Sequence, residues 1–301
     1  MKKYGYRQSN VDHTLFLKKR KGKLTTLIIY VDDMIITRDD SEEINRIQEQ
    51  LNSEFEMKNL GELKYFLGIE VARSCEVIFI SQRKYVLNLL SEVGLLDCKL
   101  ATTPIPQNLK VVETNDPIPA NREKYQRLVG KPIYLSHIRP DVTYTVNVVS
   151  QHMKNPREEH MEVVTRILRY LKSSLGGGLI YSKNNHLEVE GYSDSNWVGT
   201  KPDRKSTIGY VTLVGGNLVT WRSKKQKKVT RSSTEAKWRG MANGICKLLW
   251  LRRLLTELGY KPKSSMKLHY DNQSTIELSK NPIQHEQMKH VDVDRNFINI
   301  T

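Results

Sequence analysis

The chain has 301 residues and a formal net charge of +15, because 48 lysines and arginines outnumber 33 aspartates and glutamates. Hydrophobic residues make up 38% of the sequence, which is enough to build a core and excludes a wholly disordered chain. A surface of this sign attracts polyanions and releases counterions when it binds phosphates. The charge therefore favours nucleic acid as the partner, and a basic protein without a specific partner is the alternative interpretation.

The three cysteines, Cys75, Cys98 and Cys246, are scattered along the chain and form no C-x-x-C pair. With no histidine cluster at zinc spacing, this pattern argues against a disulfide framework and against a structural zinc. The first residues lack the apolar segment of a secretory signal, and no apolar run approaches the roughly 18 residues of a membrane span. We therefore expect an intracellular protein, cytoplasmic or nuclear, that is neither secreted nor bound to a membrane.

The first predicted element is a β-hairpin in residues 24–37. Two β-branched runs flank Asp32 and Asp33 there, which places the two aspartates at the tip. An amphipathic helix follows through residues 44–55, with Asp40 and Glu43 arranged like a capping box. The next predicted elements are strands at 64–74 and 75–82 and a helix at 85–93, which Gly94 ends.

The middle of the chain reads as a linker followed by helices. Residues 101–120 contain four prolines and little periodicity, which is typical of a loop. Helical periodicity then covers about 122–152 and 157–174, and Pro132 is expected to kink the first of these helices. Three glycines at 176–178 mark a boundary.

The last part of the sequence predicts a mixed sheet with a helix packed on it. Strands are predicted at 187–197, 207–214 and 217–222, a long amphipathic helix at 233–258, and a short strand in MKLHYD before a last helix. Strands followed by a helix and a further strand suit an α+β architecture.

The hairpin tip carries the first candidate site. Two exposed carboxylates on a rigid hairpin can hold divalent metal against phosphates, although aspartate is also common in ordinary turns. The string YVDD between apolar strands, with LGELKYFLGIEV, ISQRKYVLNLL and YQRLVGKPIYLSHIRPDVTY, resembles the reverse transcriptases of copia-type LTR retrotransposons. That resemblance implies catalytic roles for Asp32 and Asp33. It also implies a further aspartate on an earlier strand, which the sequence before Asp32 lacks, so we do not expect polymerisation by this chain alone.

Four acids in the last third of the chain form the second candidate site. The strings GYSDSNWVGTKPDRKSTIGYV, GGNLVTWRSKKQKKVTRSSTEAKWRGMA, LHYDNQSTIELSKNP and HEQMKHVDVD resemble the ribonuclease H domain of copia-type elements. The resemblance implies that Asp194, Glu235, Asp271 and Asp292 are catalytic and bind metal, with Asp294 as the alternative to Asp292. Carboxylates of separate elements that meet at one sheet edge suit hydrolysis with two Mg²⁺ ions, or with Mn²⁺ in their place. Each acid alone could instead be a turn former, a helix-end acid or a solvated side chain.

A basic segment precedes the helix that carries Glu235. We expect it to bind nucleic-acid phosphates, with a solvated charged hairpin as the alternative. Its candidate residues are Arg222, Lys224, Lys225, Lys227, Lys228 and Arg231. Trp197 and Trp221 are expected to pack in the core, and stacking on bases is their alternative role.

These observations predict a fragment of a copia-type retrotransposon polyprotein with an α+β fold. Residues 1–100 would be the C-terminal part of a reverse transcriptase palm and thumb, 101–178 a connection region of linker plus helices, and 179–301 a ribonuclease H-like mixed sheet with helices. The expected activity is metal-dependent hydrolysis of RNA in an RNA–DNA hybrid. The expected partners are that hybrid and a chain that supplies the missing palm and fingers. The alternatives are a non-catalytic nucleic-acid-binding remnant and a pseudogene product that scarcely folds.

Overall fold

Three four-stranded sheets and six helices make up the described part of the chain, which is mixed α and β as the sequence predicts. The computed structural model describes residues 1–38, 41–106, 118–196, 205–226, 229–230 and 232–271. Among these residues, none of the helices combines the length and the apolar character needed to cross a bilayer.

The first sheet is an antiparallel meander that contains the predicted hairpin. Its strands are β1 (Arg7–Gln8), β2 (Leu15–Arg20), β3 (Lys23–Tyr30) and β4 (Asp33–Arg38), in that order across the sheet. Helix α1 (Ser41–Asn52) covers one face, where Ile47 and Leu51 pack with Leu27 and Tyr6. Alternating apolar residues on the strands and a three-four spacing on the helix create this small core.

Glu43 does not act as a simple helix cap. Its carboxylate is 1% exposed and accepts hydrogen bonds from Lys18 Nζ at 2.7 Å and from Tyr6 Oη at 3.2 Å. The guanidinium groups of Arg20 and Arg46 lie 3.8 and 3.6 Å away. Because a buried carboxylate is stable only when it is paired, this cluster ties α1 to the sheet. Asp40, the other half of the predicted capping box, lies outside the described residues.

The second sheet joins segments that are far apart in the sequence. Its strands are β5 (Tyr65–Phe66), β6 (Ile69–Arg73), β7 (Val77–Ser81) and β8 (Gly178–Ser182), all antiparallel. Helix α2 (Arg83–Glu92) follows β7 and ends before Gly94, whose φ of 66° suits the predicted stop. Since β8 pairs with β7, this sheet spans the expected boundary at residue 178, and the division into three domains stays a prediction.

Three further helices pack with α2 around the largest core. They are α3 (Arg122–Leu135), α4 (Pro140–Ser150) and α5 (Glu158–Ser173). The expected single helix over 122–152 is wrong, because α3 and α4 are separate. Pro132 lies inside α3 and is buried there, whereas the chain breaks at Arg139, just before Pro140. A residue that precedes proline disfavours helical backbone, so Pro140 starts a new helix instead.

Arg139 holds the start of α4 against the end of α5. This side chain is 4% exposed and donates to both carboxylate oxygens of Asp141, at 3.0 and 2.7 Å. It also donates to the backbone oxygen and the hydroxyl of Ser174, while Tyr170 Oη donates to Asp141 at 2.7 Å. Burial opposes ionisation of Asp141, yet the bonds from Arg139 and Tyr170 keep its pKa below the ordinary value. A planar guanidinium suits such multiple bonding, so α4 is fixed in direction.

The third sheet is the predicted mixed sheet. Its strands are β9 (Val189–Asn196), β10 (Thr207–Val214), β11 (Asn217–Lys225) and β12 (Lys267–Tyr270), in the order β11-β10-β9-β12. Only β12 runs parallel to its neighbour, β9. Helix α6 (Ser233–Glu257) covers one face, where Leu248 and Leu251 pack on Val189.

The far end of α6 contacts the first sheet. Ser9 Oγ donates to the carboxylate of Glu257 at 2.5 Å, and the indole nitrogen of Trp250 donates to the backbone oxygen of Val11 at 3.1 Å. Helix α6 therefore links the N-terminal sheet to the C-terminal one.

We expect acid to weaken this fold through His160. The side chain is 4% exposed, and its Nδ1 accepts from the backbone nitrogen of Arg157, which favours neutral imidazole. Burial, with the charges of His152 and Arg157, lowers its pKa from 6.5 to about 4. The folded state thus binds fewer protons, and its stability is full above pH 6.5 and falls as pH drops towards 4. The loss should reach at most about 3 kcal/mol in urea unfolding.

His160→Phe should flatten this part of the pH dependence, because phenylalanine keeps a ring beside His152 but does not titrate. His13→Asn, which alters an exposed histidine, should keep the wild-type slope. Equal slopes for wild type and His160→Phe would contradict the assignment.

A large side chain at Gly244 should lift α6 from the sheet. A Cβ atom there would lie 3.0 Å from Leu268 Cδ1 and 3.2 Å from Ser193 Cβ. Gly244→Leu should therefore lower the free energy of unfolding by about 1–3 kcal/mol. The control is Gly130→Ala in α3, where an added Cβ meets nothing within 4 Å. That change should raise stability by roughly 0.5–1 kcal/mol, since alanine favours the helix. A Gly244→Leu protein as stable as wild type would show that the close approach is not required.

Candidate functional site

The YVDD string forms the hairpin that the sequence predicts. Tyr30 on β3 pairs with Asp33 on β4, so Val31 and Asp32 make a two-residue turn. Val31 has a φ of 50° and is 81% exposed, although β-branched residues disfavour this left-handed region. Such strain persists where paired strands enforce it and is common at functional turns. Asp32 and Asp33 are both exposed at this tip, and their catalytic role stays a prediction.

Asp194 and Asp271 meet at one edge of the third sheet. Asp194 lies on β9, and β12 runs parallel beside it with Tyr270 opposite Ser193. Asp271 follows Tyr270 directly, which places it level with Asp194. Both aspartates are exposed and line the same cleft. Folding therefore brings together two of the four acids that the sequence singles out.

Glu235 lies at the same end of the sheet but in the helical layer. Ser232 caps α6, its hydroxyl accepting from the backbone nitrogen of Glu235 at 3.1 Å. The helix runs antiparallel to β9, with Gly240 over Ser195, so its first turn lies near the end of the strand. Glu235 is buried, and its carboxylate accepts from Arg239 Nη2 at 2.6 Å. It is absent from the lining of the cleft that holds the two aspartates.

These acids fit a divalent cation in part. Asp194 and Asp271 offer hard oxygen ligands, and Mg²⁺ often binds one or two carboxylates while keeping waters and sharing phosphate oxygens. Glu235 is instead bonded to Arg239, and Asp292 lies outside the described residues. Within residues 1–271, as far as the structure describes them, no group of three or more His, Cys, Asp or Glu side chains could hold a metal ion.

Tyr270 connects the aspartate edge to the first turns of α6, a role that sequence reasoning missed. Its hydroxyl donates to the backbone oxygen of Lys237 at 2.8 Å and lies 3.3 Å from Ser195 Oγ. Burial, together with the negative charges of Asp194 and Asp271, raises the pKa of Tyr270 to about 12. The hydroxyl is therefore protonated at neutral pH and remains a donor to the helix. An aromatic residue directly before Asp271 was the available signal.

The cleft lies between the sheet face opposite α6 and helix α4, and its volume is about 670 Å³. Besides the two aspartates, its lining includes Pro140, Tyr144, Tyr192, Trp221 and His269. The indole nitrogen of Trp221 donates to the backbone oxygen of Ser136 at 2.8 Å, which docks β11 on the connection between α3 and α4. Trp221 is half-buried, in keeping with a packing role, and Trp197 lies outside the described residues.

The basic segment begins within a strand rather than in a loop. Arg222, Lys224 and Lys225 belong to β11, where the first two are exposed and the third is half-buried. Arg222 also lines the cleft. The remaining candidates, Lys227, Lys228 and Arg231, lie outside the described residues. Positive charge thus adjoins the wall of the cleft that contains the two aspartates.

Comparison with known proteins identifies the relatives of this chain. Residues 1–107 match the family described as reverse transcriptase (RNA-dependent DNA polymerase). The retrovirus-related Pol polyprotein from transposon RE1 of Arabidopsis thaliana is 38% identical over 294 residues, which are 98% of this chain and 20% of that protein. An uncharacterized mitochondrial protein of the same plant is 38% identical over 226 residues, 74% of this chain and 93% of the relative.

A yeast relative extends the match beyond plants. The putative transposon Ty5-1 protein of Saccharomyces cerevisiae is 31% identical over 241 residues, 79% of this chain and 78% of that protein. No solved structure matches the chain. The chain spans about one fifth of the plant transposon polyproteins that it matches. Similarity that covers nearly all of the chain, with a reverse transcriptase match at its start, shows that it belongs to the copia-type Pol polyprotein family of retrotransposons.

Proposed function

We propose that the C-terminal part of this chain hydrolyses the RNA strand of RNA–DNA hybrids. One observation carries the proposal: Asp194 on β9 and Asp271, directly after the adjacent parallel strand β12, are distant in sequence but lie level with each other and line one cleft. Separate carboxylates that meet at a sheet edge are the arrangement that metal-assisted phosphodiester hydrolysis requires. The reverse transcriptase match in residues 1–107 supports nucleic acid as the substrate class.

The carboxylates of Asp194 and Asp271 are positioned to bind a cation. A carboxylate oxygen of Asp194 accepts from the backbone nitrogen of Ser195 at 2.6 Å, which fixes its direction. Asp271 is exposed beside it, and Tyr270 anchors that end of β12 to α6. Magnesium held by the two aspartates would lower the pKa of a bound water and stabilise the departing oxygen. The neighbouring Arg222 and Lys224 would hold substrate phosphates next to the aspartates without reading sequence.

The pairing of Glu235 favours a second candidate, nucleic-acid binding without cleavage. Arg239 bonds the carboxylate of Glu235 at 2.6 Å, and the side chains are 19% and 8% exposed, so the pair is well shielded from water. An acid held in this way is a poor ligand until the arginine moves. A chain that uses only its basic surface would bind hybrids with an affinity that falls steeply with salt.

Replacing Asp194 should separate these candidates. With a labelled RNA–DNA hybrid and Mg²⁺, Asp194→Asn should slow cleavage about 10²–10³-fold, because several kcal/mol of metal-dependent stabilisation are lost. Binding of the hybrid in EDTA should change little. Asp271→Asn should behave in the same way, whereas Asp97→Asn, an equal charge change at an exposed turn, should cleave like wild type.

The two alternatives give different results in this experiment. A wild-type protein that binds the hybrid in a salt-dependent way but never cleaves it supports the binding function. Cleavage that persists unchanged in both Asp194→Asn and Asp271→Asn would place the chemistry elsewhere in the chain.

A further inference from the structure

The cleft beside the two aspartates is walled by exposed aromatic rings. Tyr192 on β9 is 44% exposed and Tyr144 on α4 is 52% exposed, although both line a concave surface. Tyr192 stacks on His269 of β12, with ring centroids 4.6 Å apart and an angle of 17° between the planes. The imidazole of His269 therefore covers one face of the Tyr192 ring, and the stack spans two adjacent strands. Large exposed aromatic residues in a concave site mark it as a binding surface.

The rings lie on opposite walls of the cleft. Tyr192 and His269 belong to the sheet, whereas Tyr144 belongs to α4, which Arg139 fixes by its bonds to Asp141 and Ser174. A planar group that entered between the walls would have an aromatic side chain on each side. The volume of about 670 Å³ is in the range of pockets that enclose small ligands, and it suits one or two nucleotides.

We propose that this cleft binds unpaired nucleotides of a nucleic-acid strand, whose bases stack on Tyr192 and Tyr144. The inference takes nucleic acid as its class of ligand and in this rests on the proposed function. It adds a subsite for single-stranded nucleotides to the site for the hybrid. Bases within a duplex cover one another's faces, whereas unpaired bases are free to stack on aromatic side chains. Arg222 on the same lining, in a chain of net charge +15, gives the strand's phosphates a cationic wall. Asp194 and Asp271 would then face the strand where it leaves the duplex.

Charge and ring chemistry favour this ligand over an apolar peptide. The cleft combines an arginine with two carboxylates and six aromatic residues, which are Tyr144, Tyr192, Tyr210, Trp221, His269 and Tyr270. An apolar peptide would leave the charged groups without partners, at a cost in free energy. A nucleotide offers its anionic phosphate to the arginine. It also offers the aromatic rings a planar base whose faces are apolar.

The test measures binding of the full chain in EDTA, so that cleavage plays no part. A fluorescein-labelled RNA of about ten nucleotides, its DNA equivalent and a blunt RNA–DNA hybrid of the same sequence serve as probes. Tyr192→Ala should weaken single-strand binding roughly 5- to 150-fold, the range expected for losing one base stack. Tyr192→Phe should bind within about twofold of wild type, because it keeps the ring. Blunt hybrid binding should change little in either variant.

Two controls guard against a loss of folding. Tyr260→Ala removes an equally exposed tyrosine that does not line the cleft, and it should bind like wild type. In the wild-type protein, 2-aminopurine placed within the RNA should lose fluorescence on binding, since stacking quenches it. That readout needs no variant.

The proposal is overturned if Tyr192→Ala and Tyr144→Ala both bind the single strand like wild type, or if 2-aminopurine is not quenched. The proposal is also overturned if an apolar peptide binds the wild-type protein without displacing RNA and no longer binds Tyr192→Ala. That result would assign the cleft to a protein partner. Failure of the proposed cleavage is seen separately, as absence of hydrolysis with Mg²⁺ while single-strand binding in EDTA still depends on Tyr192.

Discussion

The close contact between helix α6 and strand β9 determines where the candidate site lies. Ser193 and Ser195 face the helix from the strand, and Gly240 and Gly244 face the strand from the helix. Ser193 Oγ donates to the backbone oxygen of Gly240 at 2.9 Å, so the approach is tight enough for a side chain to bond helix backbone. Because the helix runs antiparallel to the strand, its first turn comes to the sheet end that carries the aspartates. The other end of α6 then holds the N-terminal sheet through Glu257.

As a consequence, the two faces of the third sheet have different surroundings. One face carries small residues and is closed by α6, the helix that contains the buried Glu235. The other face carries Tyr192 and Asp194. Helix α4 packs against β11 on this side, and Trp221 bonds the connection before α4, which leaves a cleft beside the aspartates. Alternation along β9 is responsible, since neighbouring residues of a strand point to opposite sides. A single strand thereby supplies both the helix contact and the cleft surface.

Local signals in the sequence predicted much of this fold. The YVDD hairpin, the stop at Gly94 and the extent of α6 depend on neighbours in the chain, and the structure has them as predicted. Predictions were wrong where one residue type can have more than one effect on local structure. Proline was expected to disrupt a helix at residue 132, yet Pro132 is accommodated in α3 and Pro140 begins α4.

Long-range packing was beyond the reach of such signals. The sequence assigned Glu235 to the long helix and Asp194 and Asp271 to strands, but it gave no means of predicting that Glu235 would pair with Arg239 outside the cleft lining. Glu43 matched a capping pattern, whereas its side chain bonds Lys18 from a distant strand. The pairing of β7 with β8 likewise joins segments separated by four helices and a linker. The wall of the cleft that α4 forms is a further example. Its position depends on how Arg139 orients α4 relative to the third sheet, whose strands come later in the chain.

Arg239 sets the electrostatic balance at the aspartate edge. Three carboxylates gathered at one end of a sheet repel one another, and the repulsion grows where water is excluded. The bond from Arg239 at 2.6 Å neutralises Glu235 within its own helix, at a spacing of four residues that suits such pairs. Asp194 and Asp271 are then the acids whose charge faces the cleft. A cation held by these two alone leaves the ion pair of Glu235 intact, whereas one that also used Glu235 would have to break a largely buried ion pair, which is costly. The two exposed aspartates are therefore the acids whose charge a ligand in the cleft would meet, whereas Glu235 is held in its ion pair with Arg239.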